Sequence, residues 1–412
     1  MKNSNDKKIL ILLPGLGAVA TTFLTGIFSK LYSNKEIIGS ITQNFKFAEG
    51  GNQKTISELK NLPKLENMSF AAWDINDDNA YESAVKAGVL NPYDLEPVKE
   101  YLENIKPMKG VFSKKYIKNL DGTHVKESSI FSELVSELRA DIRISKENHG
   151  TDNAVMIWCG STESFNTLSD VHQNLKSFEK GIEENDDNIS PTQLYAYAAL
   201  LEGVPFANGT PNLSVEIPAL QELAEQNGLP IAGKDFKTGQ TFMKTVIAPG
   251  LKAKLLGTQG WFSTNILGNK DGLVLNEPEN FRSKENSKLE SLNSIFEPDV
   301  YPELYGDLHH SVRINYYPPR GDSKEGWDNI DIFGWMNYPM QIKINFLCRD
   351  SILAAPIVLD LALLLSYSKE EGYSGVQDWL SFYFKLPNRG SSGTVVHDLI
   401  MQHSNLISEL TK

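Results

Sequence analysis

The chain has 412 residues, 41% hydrophobic and 22% charged, a globular composition with enough apolar material for a large core. That length points to two domains, one of them inserted in the other. A net charge of −12 argues against nonspecific nucleic-acid binding and against docking on anionic lipid, so an anionic small-molecule substrate would need a locally basic pocket.

The two cysteines, Cys159 and Cys348, cannot alone supply a disulfide framework or a zinc site, and a reducing, cytoplasmic compartment is the expectation. Lys7-Lys8 and the apolar residues after them have the start of a signal-peptide pattern, but Pro14-Gly15 ends the run early. Residues 352–365 are interrupted by Pro356 and Asp360, which fits a core helix and not a membrane span.

In chain order, residues 8–13 form a continuous apolar run, as expected of a strand buried on both faces of a parallel sheet. Gly15-Leu16-Gly17-Ala18-Val19-Ala20 follows, then a helical pattern over residues 21–31; strand, glycine turn and helix match the opening of a dinucleotide-binding unit. A second strand is expected near residues 37–41, and it ends without the acid that usually binds a ribose. Further strands are predicted at residues 69–73, 154–158 and 229–232, ending at Asp74, at Cys159-Gly160-Ser161-Thr162 and at Gly233. Between them, Ser190-Pro191 opens a helix and Asn227-Gly228 stops another over residues 218–226.

From about residue 242 to 348 the texture changes, with half-buried strand patterns at residues 312–316 and 341–346. After Asp350 an apolar helix returns. The expected fold class is therefore α/β: a Rossmann-like domain of residues 1–241 and 354–412, with an α+β domain of residues 242–353 inserted in it. Ligands of such sheets sit beyond the carboxyl ends of the strands, so the polar strand ends are where chemistry is sought.

Several groups there have chemical potential, each with a plainer reading beside it. Gly15 permits a tight turn and Gly17 lets backbone approach a pyrophosphate, or the pair simply makes a turn. Asp74 has a carboxylate for ribose hydroxyls, or caps a turn. In Lys237-Thr238-Gly239-Gln240-Thr241, hydroxyls and N–H groups could cradle a phosphate, or form an ordinary junction. Lys284 and Lys288, four apart on a predicted helix, would share a face and depress each other's pKa, or form a solvated basic face. Lys324, beside Asp322 on a strand-end turn, suits an anion pocket or a surface turn. Asp350 heads a helix, where capping is the default role. Lys385, among Tyr383, Phe384 and Leu386, is either desolvated and reactive or snorkelling. His309-His310 alone gives no metal pattern, and neither a His-Glu-x-x-His nor a Gly-x-Ser-x-Gly motif occurs.

The order of these signals resembles the myo-inositol-phosphate synthase family. The likeness is densest in Gly321-Asp322-Ser323-Lys324, residues 345–350 and Ser351-Ile352-Leu353-Ala354-Ala355-Pro356-Ile357. It is supported by Trp73-Asp74-Ile75, Asn208-Gly209-Thr210-Pro211, residues 235–241 and 267–272, and Phe281-Arg282-Ser283-Lys284 through Lys288. The resemblance implies a Rossmann-like NAD domain with an inserted catalytic and tetramerisation domain. It implies NAD as cofactor, facing Gly15, Gly17, Ala18, Val19, Ala20, Asp74, Ser161, Thr162, Gly209, Thr210, Asp235, Asn269, Asp271 and Asp322. A monovalent or divalent cation is compatible with it.

Lys284, Lys288, Lys324 and Lys385, with Asp350 near their ammonium groups, would line a sugar-phosphate pocket, and Thr238, Gly239, Gln240 and Thr241 would hold the substrate phosphate. The activity implied is conversion of glucose 6-phosphate to an inositol monophosphate by C5 oxidation, C6–C1 ring closure and C5 reduction, in a homotetramer. The competing readings are a sugar-phosphate dehydrogenase without ring closure and a non-catalytic NAD-binding regulator. The chain departs from the family pattern at Ala18-Val19, Cys159-Gly160, Thr238 and Lys270, all in the nucleotide site or the phosphate loop.

Overall fold

Six consecutive buried residues, Ile9–Pro14, form the strand β1. Alternate side chains pack on opposite faces: Ile9, Ile11 and Leu13 join one apolar core, Leu10 and Leu12 the other. The computed structural model describes residues 7–49, 52–269, 272, 292–389 and 395–412. Its strands after β1 are β2 (Lys46–Glu49), β3 (Asn52–Thr55), β4 (Met68–Asp74), β5 (Met108–Lys109), β6 (Ala154–Trp158), β7 (Phe206–Asn208) and β8 (Pro230–Ala232). They continue with β9 (Gly257–Leu267), β10 (His309–Tyr316), β11 (Lys324–Phe333), β12 (Pro339–Cys348) and β13 (Gly375–Val376).

Seven of these strands make one sheet in the order β13-β8-β7-β6-β1-β4-β5, every pairing parallel. The chain runs from β1 outward through β4 and β5, then crosses to β6 on the other side and runs outward again. That reversal puts a topological switch point between β1 and β6, where ligands of doubly wound sheets bind. Helices Ala18–Tyr32 and Asp350–Glu370 cover one face. Helices Phe131–His149 and Pro191–Leu201 cover the other.

The second strand of this sheet is not at residues 37–41. That segment is irregular, with Gly39 at φ +92° and Ile38 83% exposed, and Ser40 caps a short helix, Ile41–Asn44. The reason is a buried carboxylate. Asp360 accepts hydrogen bonds from the Ser40 hydroxyl (2.5 Å), the Ile41 and Thr42 amides (2.7 and 3.1 Å), the Thr42 hydroxyl (2.6 Å) and the Tyr383 hydroxyl (3.1 Å). An unpaired carboxylate at that depth would be strongly destabilising, so the amides that satisfy it are not available to a sheet ladder. β4 takes the place beside β1, and the strand neighbour of β1 does end in an acid, Asp74.

The Gly239–Ala253 helix leads out of the parallel sheet into a second, four-stranded one, ordered β10-β9-β11-β12. β9 pairs parallel with β10 and antiparallel with β11, and β11 and β12 form a long hairpin. Trp261, Ile330 and Ile332 pack its inner face against Ala248 and Leu251 of the helix. The chain then returns through Asp350–Glu370. This helix is long and apolar enough to cross a membrane, but residues Val358 to Leu365 are almost fully buried in the protein core.

Candidate active site

At the end of β1 the chain turns sharply. Gly15 has φ +92°, and a Cβ there would lie 2.4 Å from the Gly160 Cα, so only glycine fits. Its amide donates to the Trp73 carbonyl at 2.8 Å, and the Leu16 amide donates to Asp74 Oδ2 at 2.8 Å. Gly17 is the N-cap of Ala18–Tyr32, and nothing lies within 4 Å of where its Cβ would be. No acidic residue occupies the first helical turn. Open space before an uncompensated helix N-terminus is where a pyrophosphate is held.

The neighbouring strand ends converge on this turn. The Cys159 amide, after β6, donates to the Pro14 carbonyl at 3.0 Å, and the Gly209 amide, after β7, to the Trp158 carbonyl at 3.2 Å. A Cβ on Gly209 would lie 2.5 Å from that carbonyl oxygen and 2.4 Å from the Phe236 ring. After β8, Asp235 adopts φ +63° and its Oδ1 accepts from Lys385 Nζ at 3.1 Å. Phe236 and Phe384 stack beside this pair, with ring centroids 6.3 Å apart.

Lys324 begins β11 and Asp350 begins the returning helix, and their Nζ and Oδ2 are 2.7 Å apart. Gly239, with φ +56°, packs on this pair: its Cβ would fall 2.9 Å from Asp350 Oδ1 and 3.6 Å from Lys324 Nζ. The glycine therefore lets the loop backbone come close to the lysine. Thr238 faces the cleft, whereas Gln240 does not. Its amide is engaged with the mixed sheet, accepting from Asn265 Nδ2 at 2.6 Å and donating to the Thr264 carbonyl at 3.1 Å. Gln240 thus ties the loop to β9, and Thr241 is buried behind it. Lys237 and Lys244 also turn away, toward Gln402 and His310, and burial holds both amines down to about 7.

Asp322 closes the far wall. Its Oδ1 accepts from Asn269 Nδ2 at 3.0 Å, while Oδ2 is buried with no hydrogen-bond partner among the described residues. Burial pushes this carboxyl above its ordinary range, opposed by the Asn269 bond. A desolvated carboxylate oxygen lacking a donor fits a site for a ligand hydroxyl or amide.

One cleft of about 530 Å³ joins these groups, lined by Gly17, Ala18, Val19, Asp74, Ser161, Thr162, Gly209, Thr210, Asp235, Thr238, Asn269, Asp322, Asp350 and Lys385. Gly15, Ala20, Lys324 and Gly239 do not line it, the last two packing against Asp350. Lys284, Lys288 and Asp271 fall outside the described residues. The sequence reading did not anticipate Asn76, Asp78, Ser83 and Lys86, which extend the cleft along helix Ala80–Ala87. The available signal was Asn79 and Glu82, a capping box that places that helix directly beyond β4.

A doubly wound sheet with a glycine turn at its switch point, and a cleft there walled by Lys385, Asp235 and Asp350, is the architecture of a dinucleotide-binding enzyme. The chain belongs to the myo-inositol-1-phosphate synthase family, whose model matches residues 9–410. It is 51% identical to inositol-3-phosphate synthase 1 of Bacteroides thetaiotaomicron over 395 residues, covering 95% of this chain and 92% of that protein. It is 31% identical to inositol-3-phosphate synthase isozyme 1 of Arabidopsis thaliana, covering 97% of this chain and 84% of that protein. The fold superposes on the inositol-3-phosphate synthase of Caenorhabditis elegans with a TM-score of 0.91 at 27% identity, over 98% of this chain and 85% of that one.

Proposed function

We propose that this chain is an NAD-dependent inositol-3-phosphate synthase that converts glucose 6-phosphate to 1D-myo-inositol 3-phosphate. The observation that carries this reading is the meeting of Lys324–Asp350, Lys385–Asp235 and the Gly239 turn at the end of a dinucleotide cleft.

NAD fits the cleft: Gly17 leaves room for the pyrophosphate at the helix N-terminus, Asp74 Oδ2 keeps a lone pair for a ribose hydroxyl beside its bond from the Leu16 amide while Oδ1 holds Asn76, and Asp322 Oδ2 awaits a donor. Bound there, NAD supplies a hydride acceptor and later a hydride donor, and is regenerated over the cycle. The protein's own groups handle protons and developing charge. Loss of the C5 hydroxyl proton needs a base. The ketone formed at C5 acidifies C6–H; that proton passes to a base, for which the substrate's own phosphate serves, and the C6 carbanion closes onto the C1 carbonyl, whose oxygen gains a proton. Negative charge rests first on the C5 oxygen and then on the C1 oxygen. Lys324 and Lys385 are placed to stabilise both and to exchange protons, and Lys284 and Lys288 complete the reading as further cations. Thr238 and the backbone at Gly239 hold the phosphate. The residues divide into a nucleotide domain, 1–241 with 354–412, and an inserted catalytic domain, 242–353.

The chemistry is redox-neutral. Inositol phosphate is expected to accumulate from glucose 6-phosphate with NAD far below substrate concentration, and NADH absorbance to stay flat. NADH released in proportion to product would instead make the chain a dehydrogenase.

We also assign a homotetramer in the cytoplasm, with a monovalent or divalent cation as activator. The outer face of the mixed sheet supports the assembly: Phe262, Trp327 and Leu347 are 42%, 43% and 61% exposed there, and Trp335 at the hairpin turn is 90% exposed. Exposed aromatic groups on one sheet face mark a contact surface. Light scattering is expected to give four times the chain mass, and a stable, active monomer would refute the assignment.

A further inference from the structure

The loop that carries Gly239 docks against β11 at two successive residues. Gly239 packs on the Lys324–Asp350 pair, and Lys324 is the first residue of that strand. Two residues along, on the same face of β11, stands Gly326, and the next loop residue, Gln240, lies across it. Glycine inside a strand weakens it, and marks a place where another part of the chain comes close. Here the close partner is the Gln240 side chain along its length: a Cβ on Gly326 would lie 3.1 Å from Cγ, 3.3 Å from Cδ and 3.1 Å from Nε2. In the register of β9 and β11, Gly326 stands beside Asn265, whose Nδ2 donates to Gln240 Oε1 at 2.6 Å. The other end of the amide is also held. Nε2 has acceptors in the Thr264 carbonyl at 3.1 Å, Asp328 Oδ2 at 3.3 Å and the Trp327 carbonyl at 3.4 Å.

With so many acceptors in reach, no single hydrogen bond decides where Gln240 goes. The space above Gly326 does. We propose that Gly326 is a positioning residue for the substrate phosphate: carrying no side chain, it gives Gln240 a berth on β11 that sets the Thr238–Gly239 turn in register with Lys324. This rests on the reading that Thr238 and the Gly239 backbone hold the phosphate of glucose 6-phosphate.

Carbon atoms in ordinary contact are about 3.5–4.0 Å apart, so a methyl group at position 326 forces Gln240 to move. Turning the amide alone does not relieve the overlap, because Cγ, two bonds from the Gln240 Cα, is met as closely as Nε2. The displacement passes to the backbone at the start of helix Gly239–Ala253, where Gln240 is the second residue. Gly239 precedes it at φ +56°, and moves with it, while Lys324 stays on its own strand. The phosphate handle of the substrate and the ammonium that answers charge on its reacting carbons then lose their mutual alignment.

The test is steady-state kinetics of the full-length chain on glucose 6-phosphate at saturating NAD, with the NAD dissociation constant measured by calorimetry. Gly326→Ala is expected to raise KM for glucose 6-phosphate about tenfold, to lower kcat by less than that, and to leave NAD binding unchanged. Gln240→Ala should raise KM as well, because the loop loses its hold on the mixed sheet. Adding Gly326→Ala to Gln240→Ala should have no further effect, since the atoms the methyl group would meet first are gone. An equal rise with and without the Gln240 side chain would mean that alanine disturbs the strand itself, and overturns the proposal. An unchanged KM in either single variant overturns it too. Should Gly326→Ala not fold, the double variant, relieved of the overlap, is expected to fold and to match Gln240→Ala; if it fails as well, the proposal falls. All these outcomes leave the functional reading standing, whereas an unmodified protein that forms no inositol phosphate overturns both.

Discussion

Lys385→Met is expected to lower turnover by roughly a hundredfold or more while the substrate Michaelis constant changes far less, the pattern for removing one donor to a charge that forms only during reaction. The residue is only 8% exposed, and its ammonium faces Asp235 in the cleft. Its aromatic neighbours are occupied elsewhere: Phe384 stacks on Phe236, and the Tyr383 hydroxyl is bound to Asp360. The plainer reading, a lysine whose stem packs on those rings while its head reaches solvent, does not match that arrangement. Methionine keeps the length of the stem but leaves Asp235 with a buried charge and no ammonium. The double variant Lys385→Met/Asp235→Asn therefore serves as the control for folding. Near-full turnover in a folded, NAD-binding Lys385→Met protein would remove Lys385 from the chemistry.

Gly15→Ala should have the second large effect, this time on the fold and the cofactor together. Alanine at φ +92° is strained, and its Cβ would overlap the Gly160 backbone, which has no side chain to move aside. Strain and overpacking together make a loss of about 2–5 kcal/mol reasonable. Displacement of the turn would also pull Leu16 away from Asp74, distorting the proposed pyrophosphate site. Denaturant unfolding and NAD titration measure the two effects separately. Unchanged stability would mean that the turn relaxes at no cost, and the steric account would fall.

Much of this site was legible in the sequence because its residues sit where short-range rules apply. The apolar run ending in Pro14-Gly15, and the strands ending at Asp74 and Trp158, announce themselves by composition and by the turns that stop them. The strand expected at residues 37–41 failed for a long-range reason. Its amides are held by Asp360, more than three hundred residues later, and no local pattern reports that. Gln240 shows the same limit. Its loop carries the hydroxyls and N–H groups of a phosphate cradle, but where its own side chain goes depends on a distant strand, which offers Asn265 and the Thr264 carbonyl. The pairing of Lys324 with Asp350 and of Lys385 with Asp235 likewise depends on how two sheets meet.

The sheet's own wiring bears on when the enzyme can work during its synthesis. β1 is made more than three hundred residues before helix Asp350–Glu370, which shares its apolar core on one face, and before β13, which completes the edge of its sheet. Lys385 arrives later still. A nascent chain that has made the whole glycine turn therefore exposes an unfinished apolar face, and lacks the Lys385 ammonium, until residues 350–385 emerge. Contacts so distant along the chain close slowly. Such a polypeptide needs protection from aggregation while it is being made, and a product that stops short of helix Asp350–Glu370 would keep that face open.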